Sequence, residues 1–154
     1  MRRRIVGFHQ DDVGDWIAEL SCLHGQHVRH RPPFFGRAWT LDESQRASRV
    51  GTELDCPLCD RAEPPTGLRK ARTAGPFDND TLPAGLRRTH HVAESTWGLL
   101  RVGRGTVAIE IDTQPPIRVS LGAGEHQPIP PGVPHRISLL GPTQVEIDFL
   151  VATV

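Results

Sequence analysis

The sequence predicts a mainly β protein in which a jelly-roll β-barrel fills the C-terminal half and a small α+β zinc module precedes it. Three observations lead there. All three cysteines and four of the eight histidines fall within residues 9–59, a density that suits a metal site. Beyond residue 81 the chain is cut by Gly and Pro into short apolar segments, many of them alternating, with no helical period. Between these regions, residues 61–81 are rich in turn formers and poor in apolar periodicity, so they read as a linker. The expected boundaries are therefore 1–60 for the zinc module, 61–81 for the linker and 82–154 for the barrel.

In the first module, Arg4 to His9 and Asp15 to Cys22 alternate like strands around the turn Gln10-Asp-Asp-Val-Gly14, and Gln26 to His30 can return as a third strand. Thr40-Leu-Asp-Glu43 has the pattern of a capping box and predicts a short helix to about Val50, closed by Gly51. The cysteines are grouped as Cys22-Leu-His24 and Cys56-Pro-Leu-Cys59. A Cys-x-x-Cys pair turns two thiolates toward one ion, and a second pair of ligands about 30 residues away can complete a tetrahedron around zinc. Strand alternation puts Cys22 and His24 on one side of the hairpin end. Cys22, His24, Cys56 and Cys59 are the preferred ligands, with His27 the alternative to His24. His9 and His30 read as surface or supporting residues. A redox or simply buried cysteine pair is the competing reading.

Composition narrows the function classes. The 18 basic and 18 acidic residues cancel, so charge calls for neither nucleic acid nor an acidic membrane surface. Met1-Arg-Arg-Arg4 runs into His9-Gln-Asp-Asp12 without the apolar stretch of a signal peptide, and no apolar run reaches the roughly 20 residues needed to cross a bilayer. An odd number of cysteines at metal-like spacing suits a reducing cytoplasm.

In the second region, strands are expected at Leu86 to His91, Trp97 to Val102, Thr106 to Ile111, Ile117 to Leu121, His126 to Ile129, His135 to Leu140 and Val145 to Ala152. Such a run of short strands implies a sandwich or barrel of jelly-roll type. Gly124-Glu-His-Gln-Pro-Ile-Pro130-Pro-Gly132-Val-Pro-His135 satisfies the second cupin motif position for position. Its glycines and prolines frame a turn that delivers His135 into the barrel mouth. Thr89-His90-His91 lacks the His-x-His alternation of the first motif, so one of these two histidines should lie outside the site.

Leu82-Pro-Ala-Gly-Leu-Arg-Arg, His90 before Trp97-Gly98, the His135 motif and Glu146-Ile-Asp148-Phe together resemble the small cupins of the YeaR and TehB N-terminal type, a family associated with tellurite resistance. The resemblance implies His90 and His135 as metal ligands, with Asp148 where such proteins often carry an acid. Glu94 stands where many of them have lysine. Gly7-Phe-His-Gln-Asp11, Gly14-Asp-Trp16 and the Cys/His pattern resemble an uncharacterised bacterial Cys/His-rich family. Neither resemblance brings an established reaction.

Two imidazoles and one carboxylate from His90, His135 and Asp148 would leave coordination positions open, which suits Fe(II) or Zn, and with fewer constraints Mn or Ni. An open site serves either a metal-dependent enzyme, with a dioxygenase the leading type, or a module that binds or senses a small ligand such as tellurite, another oxyanion or a nitrogen oxide. A purely structural role for both metals is the third class. Arg87, Arg88, Arg101 and Arg136 are candidates for an anion pocket. A barrel of about 70 residues buries little core alone, which predicts a homodimer.

Overall fold

The first strands are fixed by their inward residues. In the computed structural model, which describes residues 1–153, β1 (Arg2–Gln10), β2 (Trp16–Leu20), β3 (Gly25–His27) and β4 (Glu53–Asp55) form an antiparallel sheet in the order β3-β2-β1-β4. Ile5, Ala18 and Leu20 are its buried apolar residues, and Val28, next after β3, is buried too. The β1–β2 turn is closed by Asp11, whose carboxylate accepts the amides of Val13 (3.0 Å) and Asp15 (2.9 Å). β4 is short and mostly exposed, and it owes its extended form to pairing with Arg2–Arg4 rather than to its own pattern.

The helix between β3 and β4 is shorter than its pattern predicts. Ala38–Leu41 forms a 3-10 turn, and α1 spans only Glu43–Ala47. Asp42, not Thr40, caps it: the Asp42 carboxylate accepts the amide of Gln45 at 2.9 Å, while the Thr40 hydroxyl donates to the Arg37 carbonyl. Arg46 lies over the Trp16 ring at 3.7 Å, and Trp39 meets Phe8 edge-on at 5.9 Å. These contacts tie a polar helix to the sheet through aromatic faces rather than through an apolar stripe.

The chain divides into two compact units, residues 1–56 and 57–154, so the change of unit falls within the Cys-x-x-Cys turn. Cys59 lies on the short helix α2 (Pro57–Asp60). The second unit is a cupin-type jelly roll built on two long strands, β6 (Trp97–Ile111) and β9 (His135–Ala152). They pair antiparallel along nearly their whole length. Each was expected as two strands, but Gly105 and Gly141, at φ +77° and +80°, bend the strands without ending them. The first half of β6 takes β8 (His126–Ile129) on its free edge, and the second half takes β7 (Ile117–Gly122). Trp97, Leu100, Val102, Val107, Ile109, Ile111, Ile137 and Val145 fill the interior.

Two expectations need correction. The supposed linker contains β5 (Leu68–Phe77), an edge strand on β9 that makes the sheet order β5-β9-β6-β7. Its exposed, basic residues carry no strand signal of their own, and pairing with β9 supplies the missing backbone partners. The barrel unit thus starts before residue 82. Leu86 to His91 is not a strand: Ala84–Arg87 forms a 3-10 turn, and only His90 makes a bridge, to His135. Among the described residues no helix is long and apolar enough to cross a membrane.

The bend at Gly105 gives a direct test of this architecture. A Cβ there would collide with the Pro142 carbonyl and approach the Thr143 hydroxyl at 2.8 Å, in a backbone region that L-residues rarely adopt. Gly105→Ala is expected to destabilise the barrel by about 2–4 kcal/mol. Gly124→Ala shares the positive φ but meets nothing within 4 Å, so it should lose only about 1 kcal/mol in the same denaturant titration.

Candidate metal centre and barrel cavity

The metal centre grows from the end of the β2–β3 hairpin. Leu23, at φ +72°, takes the left-handed turn that lets Cys22 and His24 face one side, and the amide of Cys56 donates to the Met1 carbonyl, holding the second cysteine pair near them. Cys22, His24, Cys56 and Cys59 are all buried, and their ligand atoms lie within 4.8 Å of one another. The Cys22 and Cys56 sulfurs stand 3.9 Å apart, and His24 Nδ1 lies 3.4 Å and 3.5 Å from them. Tetrahedral zinc with ordinary bond lengths needs about 3.8 Å between sulfurs and about 3.6 Å between sulfur and nitrogen. The four residues could hold one metal ion, and the donor set fits one.

The electrostatics of the cluster favour positive charge. Burial alone would lower the pKa of His24, yet the sulfurs of Cys22 and Cys56 overcome it and raise the value from 6.5 to about 9. His27, the alternative ligand, lies elsewhere: its Nε2 meets the Asp11 carboxylate at 3.0 Å on the exposed side of the hairpin. His9 pairs with Glu19 at 2.8 Å.

The second site lies inside the barrel unit. His90 and His135 exchange backbone hydrogen bonds of 3.0 Å and 2.8 Å, which puts their side chains on the same face with ring centroids 4.2 Å apart. Each ring points its Nδ1 at a carbonyl 2.9 Å away, Arg88 for His90 and Val133 for His135. A carbonyl only accepts, so Nδ1 carries the proton, and in that neutral tautomer Nε2 is the lone pair. Burial drives the pKa of His135 down from 6.5 to about 4, with the neighbouring His90 and His91 acting in the same direction, so this ring is neutral near pH 7. Metal-binding histidines are commonly oriented this way.

These rings line a cavity of about 430 Å³. Its walls are mostly apolar, including Phe77, Leu100, Ile137, Ile147 and Phe149, and Arg72 is the one arginine on them. His91 also reaches this wall, whereas His126 does not.

Asp148 does not join His90 and His135. Ile147 and Phe149 line the cavity, so the residue between them faces the other side of β9. There its carboxylate accepts from the Thr73 hydroxyl and meets the Arg101 guanidinium at 2.9 Å, with Lys70 at 3.9 Å. Burial opposes ionisation of Asp148, but Thr73 and Arg101 outweigh it and hold the carboxyl below its usual range. Of the four arginines considered for an anion pocket, none lines the cavity: Arg101 serves Glu146 and Asp148, Arg136 serves Glu110, and Arg87 donates to the Asn79 carbonyl. The residue sequence reasoning missed is Arg72, hidden in the supposed linker.

A Cys₃His cluster that could hold a metal ion, followed by a jelly roll with an inward histidine pair, defines a small Cys/His module and a cupin-type domain. Two family models match successive parts of the chain. Residues 6–63 match a family described as a protein of unknown function, DUF3565, and residues 72–147 match the TehB-like domain. Among solved structures, a protein from E. coli strain K12 is similar over 58% of this chain and 96% of its own, at 23% identity and a TM-score of 0.53. TehB from Haemophilus influenzae is similar over 56% of this chain, at 20% identity and a TM-score of 0.51, and the match spans only 32% of TehB. Both likenesses concern the fold. No curated protein matches the sequence.

The placement of Asp148 is testable. Asp148→Asn should leave the cavity lining unchanged while lowering stability at pH 7 by about 1–2 kcal/mol, because Arg101 loses a charged partner. The carboxyl is depressed in the folded state, so its contribution is present above the ordinary value near 3.8 and fades as the pH falls through the lower folded value. The difference in melting temperature between wild type and variant should therefore shrink toward zero in strongly acidic buffer.

Proposed function

We propose that the chain is a two-site metalloprotein in which zinc at Cys22, His24, Cys56 and Cys59 stabilises the first module and the cupin cavity binds a small molecule. In this reading His90 and His135 carry a divalent ion, Fe(II) or Zn, whose open positions face the cavity. The observation behind it is the pair of imidazoles, each tied at Nδ1 to a carbonyl and leaving Nε2 for a ligand. Two protein ligands alone hold an ion weakly, so a bound small molecule would complete the shell.

Binding or sensing is favoured over catalysis by one feature of the wall. Among the described residues no Asp or Glu lines the cavity, so it offers neither an anionic ligand beside the two imidazoles nor a side-chain carboxylate for proton transfer. A role in the response to tellurite, another oxyanion or nitrosative stress fits a binding cavity of this kind and the TehB-like match. The metal-dependent enzyme, dioxygenase-like in type, is the second reading, supported by the open coordination of a two-histidine site. A cytoplasmic homodimer without nucleic-acid or membrane partners completes the proposal, and the mass in solution tests its assembly.

Metal analysis of anaerobically purified protein separates the two sites. Wild type should carry one zinc that survives mild chelation and a second, more labile ion. Cys59→Ser should lose the first and unfold the N-terminal module, a loss of several kcal/mol because binding energy there is folding energy. His90→Gln and His135→Gln should lose the labile ion and keep both zinc and fold. Retention of the labile ion in both histidine variants would overturn the cavity assignment.

A further inference from the structure

Arg72 reaches the cavity through a fault in strand pairing. On β5, Lys70 pairs with Leu150, but Arg72 pairs with Phe149, so Ala71 is an extra residue in the ladder. Directly paired residues share a face of the sheet. Lys70, opposite Leu150, accordingly sits on the outer face, where its ammonium lies 3.9 Å from Asp148. In regular register Arg72 would fall opposite Asp148 on that same outer face. The bulge at Ala71 turns Arg72 inward instead, and the register stays inverted through Thr73 opposite Asp148 and Ala74 opposite Ile147.

Once inward, the guanidinium sits over an aromatic ring. Its Cζ lies 3.7 Å from the centroid of the Phe149 ring, another wall residue. The ring contact anchors the guanidinium and leaves its N–H groups available, because among the described residues none gives Arg72 a hydrogen bond or an ion pair. Arg101, Arg118 and Arg136, by contrast, are each paired with carboxylates. A planar fork of unclaimed donors beside an apolar cavity matches the two oxygens of a carboxylate.

We infer that Arg72 is the specificity residue of the cavity and that its ligand is a small organic carboxylate with an apolar body. The inference rests on the reading of the cavity as a ligand site and adds the chemical class that the site selects. The aliphatic and aromatic wall takes the body of such a ligand, and the stacked guanidinium takes its carboxylate from the solvent side, since Arg72 is exposed there. Among the described residues no Asp or Glu side chain stands on the wall to repel it.

The test uses the full chain as purified and two probes of nearly equal shape, 4-phenylbutyrate and 4-phenylbutanol, titrated by calorimetry. Wild type is expected to bind the carboxylate at least about tenfold more tightly than the alcohol, the size of a charge-assisted hydrogen-bonded contact. Arg72→Met keeps a flexible side chain against Phe149 and should lose that preference while its affinity for the alcohol stays within about twofold. Arg72→Lys keeps the charge but not the planar fork and should fall between them. Equal binding of both probes by wild type overturns the inference and leaves the cavity as a ligand site. A preference that persists in Arg72→Met also overturns it, since another group must then read the carboxylate. If neither probe binds, the inference and the reading of the cavity fall together, whereas the labile metal is assayed separately.

Discussion

Neighbouring residues of a strand cannot share a face, and on β9 this rule separates two kinds of chemistry. Ile147 and Phe149 turn toward the cavity, while Glu146 and Asp148 turn away and meet Arg101. Further along the same strand His135 and Ile137 face the cavity. β9 can serve the cavity from both of its halves because it bends at Gly141 while remaining paired with β6 on each side of the bend. Every acidic side chain of the C-terminal half of β9 is thereby assigned to an ion pair on the outer face. The cavity is left to imidazoles, one guanidinium and hydrocarbon.

Much of this was legible in the residues, and the parts that were not have physical reasons. The Cys-x-x-Cys turn and the Cys-x-His hairpin are local devices, so spacing alone brought the four buried ligand candidates to notice. The Gly and Pro pattern before His135 is local too, since it describes a turn. Arg72 is different. Its direction depends on one unpaired residue in a strand that exists only through pairing with β9, and an exposed basic segment carries no trace of that register. Glycines were also ambiguous: Gly103 and Gly141 look like strand ends, but with the chain paired on both sides they mark a bulge and a bend. The misplacement of Asp148 was avoidable. Val145, Ile147 and Phe149 alternate with Glu146 and Asp148 in the sequence itself, and that apolar period of two already assigns the acids to the outer face.

The two histidine environments show how one residue type serves opposite ends. His24 and His135 are similarly shielded, at 4% exposure each. At His24 two sulfurs within 3.5 Å outweigh burial and favour the charged ring. At His135 no anion offsets burial, so the ring stays neutral and is suited to accept or coordinate through Nε2. The first site has four protein ligand atoms converging and is closed; the second has two rings facing open volume. By the usual division of metal sites, closure goes with a structural role and openness with binding or chemistry.

The charge of the barrel interior follows from the same partition. With Asp148 and Glu146 outside and His135 neutral, the cavity wall carries the guanidinium of Arg72 as its fixed charge. A cation entering such a space has only lone pairs to meet it, and it brings net positive charge that asks for an anion alongside. An anion, by contrast, finds a donor already held over Phe149 and pays no cost of separating an existing ion pair. A metal held by His90 and His135 and an anionic ligand would thus favour each other's binding, because each supplies the charge that the other lacks in a wall of hydrocarbon. The bulge at Ala71 and the alternation of β9 set that charge: one brings a positive charge in, and the other keeps the negative charges out.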